Sequence, residues 1–146
     1  MSTCRQLGNI ALNLSSLPLR IALKVRAGRT HFPSPAQDYE QGTLDLNHWL
    51  IPNPPATFFF ETEGDSMVGA GIFPGSLLVV NRALTPGNGD IVIVDVEGEW
   101  MVKRLQRRGA LLRLLSENPA HAPITLQEEE NLVVFGVVTY VIHKPV

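Results

Sequence analysis

Two residues of this chain have side chains that together could hydrolyse a peptide bond, Ser66 and Lys103. A serine hydroxyl is a poor nucleophile until a base removes its proton, and a lysine can be that base when its amine is neutral near pH 7. The alternative is that Ser66 only caps a turn and that Lys103 extends its ammonium group to water. The residue types suggest a Ser–Lys hydrolytic dyad, and the sequence around each residue bears on the choice.

The sequence around Ser66 suits a nucleophile. Ser66 lies in Gly64-Asp65-Ser66-Met67, and the glycine-rich segment Val68-Gly69-Ala70-Gly71 follows. Glycines allow a sharp turn, so that the hydroxyl is presented and a backbone N–H can face a developing oxyanion. The backbone N–H groups of Ser66 and Met67 are the predicted oxyanion donors.

The sequence around Lys103 suits a base with a lowered pKa. In an extended strand Met101, Lys103 and Leu105 share one face, and the two apolar neighbours favour desolvation of the amine. Burial lowers the pKa of a lysine, by up to about 3–5 units when it is complete. Alternation does not say which face turns inward, so the dyad and the solvated lysine both remain open.

The elements that would position both residues are short β-strands. Turn sequences at 85–90 and 96–99 contain glycine or asparagine, so 94–101 is predicted to be a hairpin, and a short helix is predicted at 44–51. The pattern predicts a mostly β domain, either a barrel or a sandwich. The predicted strands, each apolar and bounded by turn residues, are 57–61, 76–80, 90–94, 99–105, 110–115 and 132–142.

The composition indicates one folded domain and excludes several other classes. The chain has 146 residues, 45% of them hydrophobic, and a net charge of −2, which is no basic footprint for nucleic-acid binding. A single cysteine, Cys4, excludes an internal disulfide, and the histidines lack paired metal spacing, so no cofactor or metal is expected. No apolar run reaches the roughly 20 residues of a membrane span, and a cytoplasmic location is expected.

The first part of the chain differs from the rest. Residues 1–42 have little periodicity, and Pro33 and Pro35 hold the backbone extended. We therefore expect residues 1–42 to form an exposed, extended N-terminal arm and residues 43–146 to form the compact β domain.

Several motifs, in order, resemble the peptidase domain of the LexA family, and most closely its UmuD-like branch of self-cleaving Ser–Lys peptidases. The resemblance covers residues 25–146 and implies a LexA-type, mostly β peptidase fold preceded by an extended arm. The motifs are Gly64-Asp65-Ser66-Met67, Phe32-Pro33-Ser34-Pro35 and the segments 44–47, 73–79, 101–105, 116–120 and 134–138.

The resemblance also implies an activity and partners. Ser66 would attack the scissile carbonyl with Lys103 as general base and then general acid, and the bond cut would be Ala27–Gly28 in the arm. UmuD-like proteins are homodimers of the SOS response whose self-cleavage is stimulated by the RecA–single-stranded DNA filament. The shortened dimer would join a UmuC-like Y-family polymerase subunit in translesion synthesis. It would not bind DNA sequence-specifically by itself and would not associate with a membrane. Here Arg29-Thr30-His31 lengthen the usual spacing between the scissile glycine and Phe32.

Two other functions fit the same residues. A signal-peptidase-like enzyme would use the same dyad on exported precursors and would need a membrane anchor. A non-enzymatic dimeric module would bind a polymerase, carry a vestigial dyad and never shorten itself.

Overall fold

The computed structural model of the chain describes residues 2–9, 19–20, 43–127 and 132–146. They belong to two compact units, Met1–Leu12 with Asn53–Val146, and Asn13–Pro52. No helix in these described ranges is long and apolar enough to cross a membrane.

The larger unit is built on one antiparallel sheet of eight strands. Its strand order is β1-β4-β5-β10-β6-β7-β8-β9, and an isolated bridge between Thr3 and Met101 links the start of β1 to β7. The sheet therefore curls so that β1, at one edge, approaches β7. The strands are β1 Cys4–Asn9, β4 Thr57–Thr62, β5 Leu77–Asn81, β6 Ile91–Val96, β7 Glu99–Arg108, β8 Leu111–Leu115, β9 Ile124–Gln127 and β10 Leu132–Ile142.

The hairpin between β6 and β7 shows why the chain turns where it does. Glu97 and Gly98 both have positive φ, a conformation that glycine adopts without strain. The Asp95 carboxylate accepts a hydrogen bond of 2.8 Å from the Gly98 N–H and closes the turn. This turn fixes the register in which Val92 pairs with Lys103.

Two buried clusters form the core of this unit. One contains Phe60, Met67 and Cys4, and its aromatic part brings Phe60 within 5.9 Å of Trp100, measured between ring centroids. The second cluster lies around the β6–β7–β8 region and contains Val92, Val94, Met101, Leu105, Leu114 and Val137. The turn that carries Ser66 follows β4, and Lys103 lies between two residues of the second cluster on β7.

The smaller unit contains a short strand pair and one short helix. β2, Leu19–Arg20, pairs antiparallel with β3, Thr43–Leu44. The helix α1, Leu46–Leu50, begins at Asp45, whose side chain accepts hydrogen bonds from two backbone N–H groups of the first turn.

The structure confirms the predicted mostly β fold and corrects details of it. Each of the six predicted strands has a counterpart with nearby ends, and 132–142 matches in full. The predicted helix at 44–51 is shorter, at 46–50, and β9 was not predicted. The division between an arm, 1–42, and a domain, 43–146, stays a prediction.

The first residues of the predicted arm are extended, as expected, but two of them are buried instead of exposed. Cys4–Asn9 is a strand of the main sheet, and the side chains of Ser2 and Cys4 are buried. The strand has no apolar alternation of its own. Its position in the sheet therefore depends on its pairing with β4.

Candidate active site

Ser66 and Lys103 lie side by side in the larger unit. The Lys103 Nζ is 3.2 Å from the Ser66 Oγ, although the two residues are 37 positions apart in sequence. Both are buried, with 0% of Ser66 and 1% of Lys103 exposed. The structure therefore brings the two predicted residues within hydrogen-bond distance of each other in a buried place, and their catalytic roles stay a prediction.

A tight turn after β4 presents Ser66. Gly64 has a φ of 81°, in the left-handed region, and the Val68 N–H donates to the Asp65 carbonyl at 3.3 Å. A 3₁₀ helix, Val68–Ala70, follows at once. A glycine before the serine thus lets the chain reverse without the strain that a Cβ would cause.

The strand β7 holds Lys103 in the interior. Its neighbours on the same face, Met101 and Leu105, are buried in the second core cluster. Because burial disfavours the charged form, it lowers the pKa of Lys103 below the ordinary 10.5. A larger share of neutral amine, which can accept a proton, follows from that direction.

A second hydroxyl contacts the lysine. The Lys103 Nζ donates a hydrogen bond of 2.8 Å to the Oγ of Ser116, which follows directly after β8. Arg104 pairs with Leu115, so the same register continued by one pair sets position 116 opposite Lys103. Sequence reasoning noted Ser116 only as part of a motif. The β7–β8 hairpin register is the signal that would have found it.

The segment after Ser116 also forms hydrogen bonds with the turn that carries Ser66. The Gly69 N–H donates to the Glu117 carbonyl at 2.8 Å, and the Asn118 side chain donates to the Asp65 carbonyl at 2.9 Å. A Cβ on Gly69 would lie 2.5 Å from the Glu117 carbonyl oxygen, which explains a glycine there. One segment therefore positions both the lysine and the serine.

At the surface, His121 also contacts the turn that carries Ser66, through Asp65. The His121 Nε2 lies 2.8 Å from Asp65 Oδ1. The hydrogen bond from His121 lowers the pKa of Asp65 below its usual value, with the charge of the imidazole acting in the same direction. Glu117 is ion-paired with Arg104, the residue after the lysine.

Ser2, just before the N-terminal strand, contacts Ser66. The Ser2 N–H donates to Ser66 Oγ at 2.9 Å, and the Ser66 N–H donates to Ser2 Oγ at 2.8 Å. The N–H predicted to hold an oxyanion thus binds an oxygen atom in this structure. Nothing in the composition of residues 1–42 indicated that Ser2 belongs to the site.

The remaining predicted site residues are placed as follows. Met67 is fully buried in the cluster that also contains Cys4. Ala27 and Gly28, the predicted scissile pair, lie outside the described residues, as does the insertion 29–31. The described part of the site therefore consists of Ser66, Lys103 and the residues that contact them, without the predicted scissile pair.

Comparison with known proteins gives the family. The model of the Peptidase S24-like family matches residues 19–139. Protein ImpA of Salmonella typhimurium is 48% identical over 119 residues, covering 77% of each chain, and protein SamA of the same species is 51% identical over 113 residues, covering 77% of this chain and 78% of SamA. Protein MucA of Salmonella typhimurium is 35% identical over 139 residues, covering 93% of this chain and 91% of MucA.

The chain belongs to the S24 peptidase family. Within it the chain is UmuD-like, in the branch of self-cleaving SOS mutagenesis proteins. The part matched by the S24 family model contains Ser66, Lys103 and Ser116, whereas it begins well after Ser2 and β1. The contacts of β1 with the site are therefore a feature that the family match does not account for.

Proposed function

We propose that the chain is a serine endopeptidase that cuts its own backbone, with Ser66 as nucleophile and Lys103 as general base. The observation that carries the proposal is the 3.2 Å separation of Lys103 Nζ and Ser66 Oγ in a buried site. Burial lowers the pKa of Lys103, which favours the neutral amine that a general base requires. Membership of a peptidase family supports the reaction type.

The first half of the reaction forms an acyl-enzyme. Ser66 Oγ attacks the Ala27 carbonyl carbon while its proton passes to Lys103 Nζ. The N–H groups of Ser66 and Met67 hold the oxyanion of the tetrahedral intermediate. The C–N bond then breaks, and Lys103 gives the proton to the departing amine of Gly28.

The second half restores the enzyme. A water molecule attacks the ester between Ser66 and Ala27 while Lys103 Nζ takes a proton from it. Collapse of the second intermediate returns that proton to Ser66 Oγ and releases residues 1–27. Ser116 Oγ accepts an N–H of Lys103 throughout, so that the lone pair of the amine stays directed at Ser66.

The biological setting follows from the UmuD-like relatives. We propose that residues 1–42 are the arm removed in part by cleavage, and that residues 43–146 are the domain that remains. The chain acts as a cytoplasmic homodimer, the RecA–single-stranded DNA filament stimulates its cleavage, and the shortened form joins a UmuC-like Y-family polymerase. Similarity to ImpA, SamA and MucA over most of the chain supports these assignments.

The test is mass spectrometry of the full chain after incubation at alkaline pH or with the RecA filament. We expect loss of the first 27 residues from the wild type and no loss from Ser66→Ala or Lys103→Ala. Ser76→Ala is the matched control, because Ser76 is also a fully buried serine but its hydroxyl accepts from the Phe73 N–H instead of contacting Lys103.

Two outcomes contradict the proposal. Shortening that continues at the wild-type rate in Ser66→Ala excludes Ser66 as nucleophile. A chain that binds its polymerase yet stays intact under every activating condition is a binding module with an inactive dyad.

A further inference from the structure

Ser2, two residues before β1, covers Ser66 and occupies both its hydroxyl and its backbone N–H. Ser2 and Ser66 exchange two hydrogen bonds, of 2.9 and 2.8 Å, which engage the Ser66 hydroxyl and its backbone N–H. A peptide substrate needs both of those groups, the hydroxyl for attack and the N–H for the oxyanion. Ser2 and a bound scissile carbonyl therefore cannot occupy the site together.

The residues after Ser2 lie in a groove whose walls are main chain. The Thr3 carbonyl accepts from the Glu63 N–H at 2.8 Å, and Thr3 forms its bridge to Met101 on the other side. Cys4 then pairs with Thr62 as β1 adds to the edge of β4. Main-chain hydrogen bonds to a sheet edge accept many sequences, so the groove is a general site for an extended peptide strand.

The buried position of Cys4 limits which side chains an extended strand in this groove can carry. Cys4 is 8% exposed and belongs to the cluster of Phe60 and Met67. A small, uncharged side chain fits that position, whereas a carboxylate there would be buried without a partner.

The rest of β1 lies at the edge of the sheet, and its side chains at positions 5–7 are exposed. It is an edge strand paired only with β4, and its register slips between Gln6 and Gly8. Leu7 is 50% exposed, and the ion pair of Arg5 with Glu61 lies at the surface, where such pairs contribute little. An edge strand whose side chains just after Cys4 are exposed can open locally while the rest of the sheet stays folded.

We propose that the groove beside Ser66 is a binding site for an extended peptide strand, that residues 2–9 are its resident occupant, and that they must leave before the self-cleavage segment can enter. The regulatory part rests on the proposed function, because it concerns the rate of the same cleavage. Residence of β1 in the groove can be measured whether or not the chain cleaves itself.

The cleavage experiment compares two substitutions in β1 of the full chain. Cys4→Asp is expected to expel the strand and to raise the first-order rate of self-cleavage about tenfold or more, since a buried carboxylate is strongly disfavoured. Leu7→Asp makes the same change at an exposed position of the strand and is expected to leave the rate within about twofold of the wild type. Equal rates for folded Cys4→Asp and the wild type overturn the proposal, and so does a product cut within residues 2–9, which would make the strand a substrate.

Residence of the strand is measured by alkylation of Cys4, which works even if Cys4→Asp fails to fold. Cys4 is the only cysteine of the chain, and burial raises the pKa of its thiol to about 12, so native alkylation by iodoacetamide requires the strand to open. Ser2→Pro removes both hydrogen bonds to Ser66 and is expected to speed alkylation about tenfold, whereas Leu7→Ala leaves it unchanged.

The two measurements separate the two proposals. Slow wild-type alkylation that Ser2→Pro accelerates, in a chain that never cleaves itself, supports the occupied groove and contradicts the proposed function. Wild-type alkylation as fast as that of the urea-unfolded chain, in a chain that does cleave itself, overturns the occupied groove and leaves the proposed function standing.

Discussion

The two strands that border Ser66 are held in the sheet in very different ways. β7 has ten residues, pairs with β6 over Glu99–Arg104 and with β8 over Arg104–Arg108, and carries Lys103 between buried neighbours. β1 has six residues, is paired along one edge by β4, and lies beside β7, to which the preceding residue Thr3 forms a bridge at Met101. The proposed base thus lies on an interior strand, and Ser2, which covers Ser66, lies just before an edge strand.

That difference fits two different demands of a self-cleaving chain. A general base must keep its distance from the nucleophile within a few tenths of an ångström, which an interior strand provides. A cover over the nucleophile must be able to leave, and edge strands with few buried contacts open at the lowest cost. Variants that weaken each part separately therefore sharpen the comparison.

The largest effect is expected from removing the base on the rigid side. Lys103→Met keeps the length and burial of the side chain and is expected to lower the self-cleavage rate by about 10²–10⁴-fold, the usual contribution of a general base. Gel or mass-spectrometric time courses of the full chain measure it. A Lys103→Met chain that is folded and cleaves within about threefold of the wild type contradicts the assignment of Lys103.

The same variant has a stability signature whose sign follows from the lowered pKa of Lys103. Between that lowered pKa and 10.5, the unfolded chain binds more protons at Lys103 than the folded chain does, so wild-type stability rises with pH across the interval. Lys103→Met lacks this rise. Its stability relative to the wild type, from urea unfolding, is expected to be highest near neutral pH and to fall toward pH 10.5.

The second largest effect is expected at Ser116. Ser116→Ala removes the hydroxyl that holds Lys103 Nζ and is expected to lower the plateau rate of cleavage about tenfold, equivalent to about 1.4 kcal/mol. Because an accepted hydrogen bond favours the ammonium form, its loss also moves the midpoint of the pH–rate curve to lower pH.

The midpoint separates positioning from a mere loss of stability. Ser76→Ala, at another buried serine, is expected to leave the midpoint unchanged, and Ser116→Thr is expected to restore it. An unshifted midpoint in Ser116→Ala would falsify the positioning role.

A smaller effect on cleavage is expected from the segment that forms hydrogen bonds with the turn that carries Ser66. In Gly69→Ala the new Cβ would lie 2.5 Å from the Glu117 carbonyl oxygen, so the segment carrying Ser116 must shift. We expect a loss of about 1–3 kcal/mol in stability and a severalfold slower cleavage. Gly87→Ala is the control, because its Cβ meets nothing closer than 3.4 Å. Equal stability in urea and equal cleavage rates for Gly69→Ala and Gly87→Ala would contradict a positioning role of this segment.

The smallest effect is expected at the exposed end of the same segment. His121→Ala removes the hydrogen bond that lowers the pKa of Asp65, so that pKa should move up toward 3.8, as measured by NMR titration of the carboxyl group. In the wild type the lowered pKa adds stability above pH 3.8, which is lost as the pH falls through the folded-state value. Cleavage near neutral pH is expected to change less than twofold, and a larger change would show that the outer pair does more than hold the turn.

The same contrast between the two strands explains what could be predicted from the sequence. The strands β4 to β8 and β10 carry their own apolar patterns and turn residues, so local sequence was enough to find them. β1 could not be found, because it is defined by its pairing with β4 and by the contacts of Ser2 with Ser66, and both are long-range.

The candidate site divides in the same way. Ser66 and Lys103 were identified from their residue types and motifs, whereas the contact of Ser116 with Lys103 depends on the register of the β7–β8 hairpin. The burial of Lys103 depends on which face of β7 turns inward, and alternation within one strand does not contain that information.

The most direct test of the central claim, a neutral lysine that activates Ser66, is the rate of self-cleavage of the full chain as a function of pH. With a neutral lysine as base, the rate is expected to rise about tenfold per pH unit and to level off at a midpoint below 10.5, the ordinary pKa of a lysine, with no cleavage in Ser66→Ala. A rate that does not depend on pH, or the same curve in Lys103→Met, would contradict this claim.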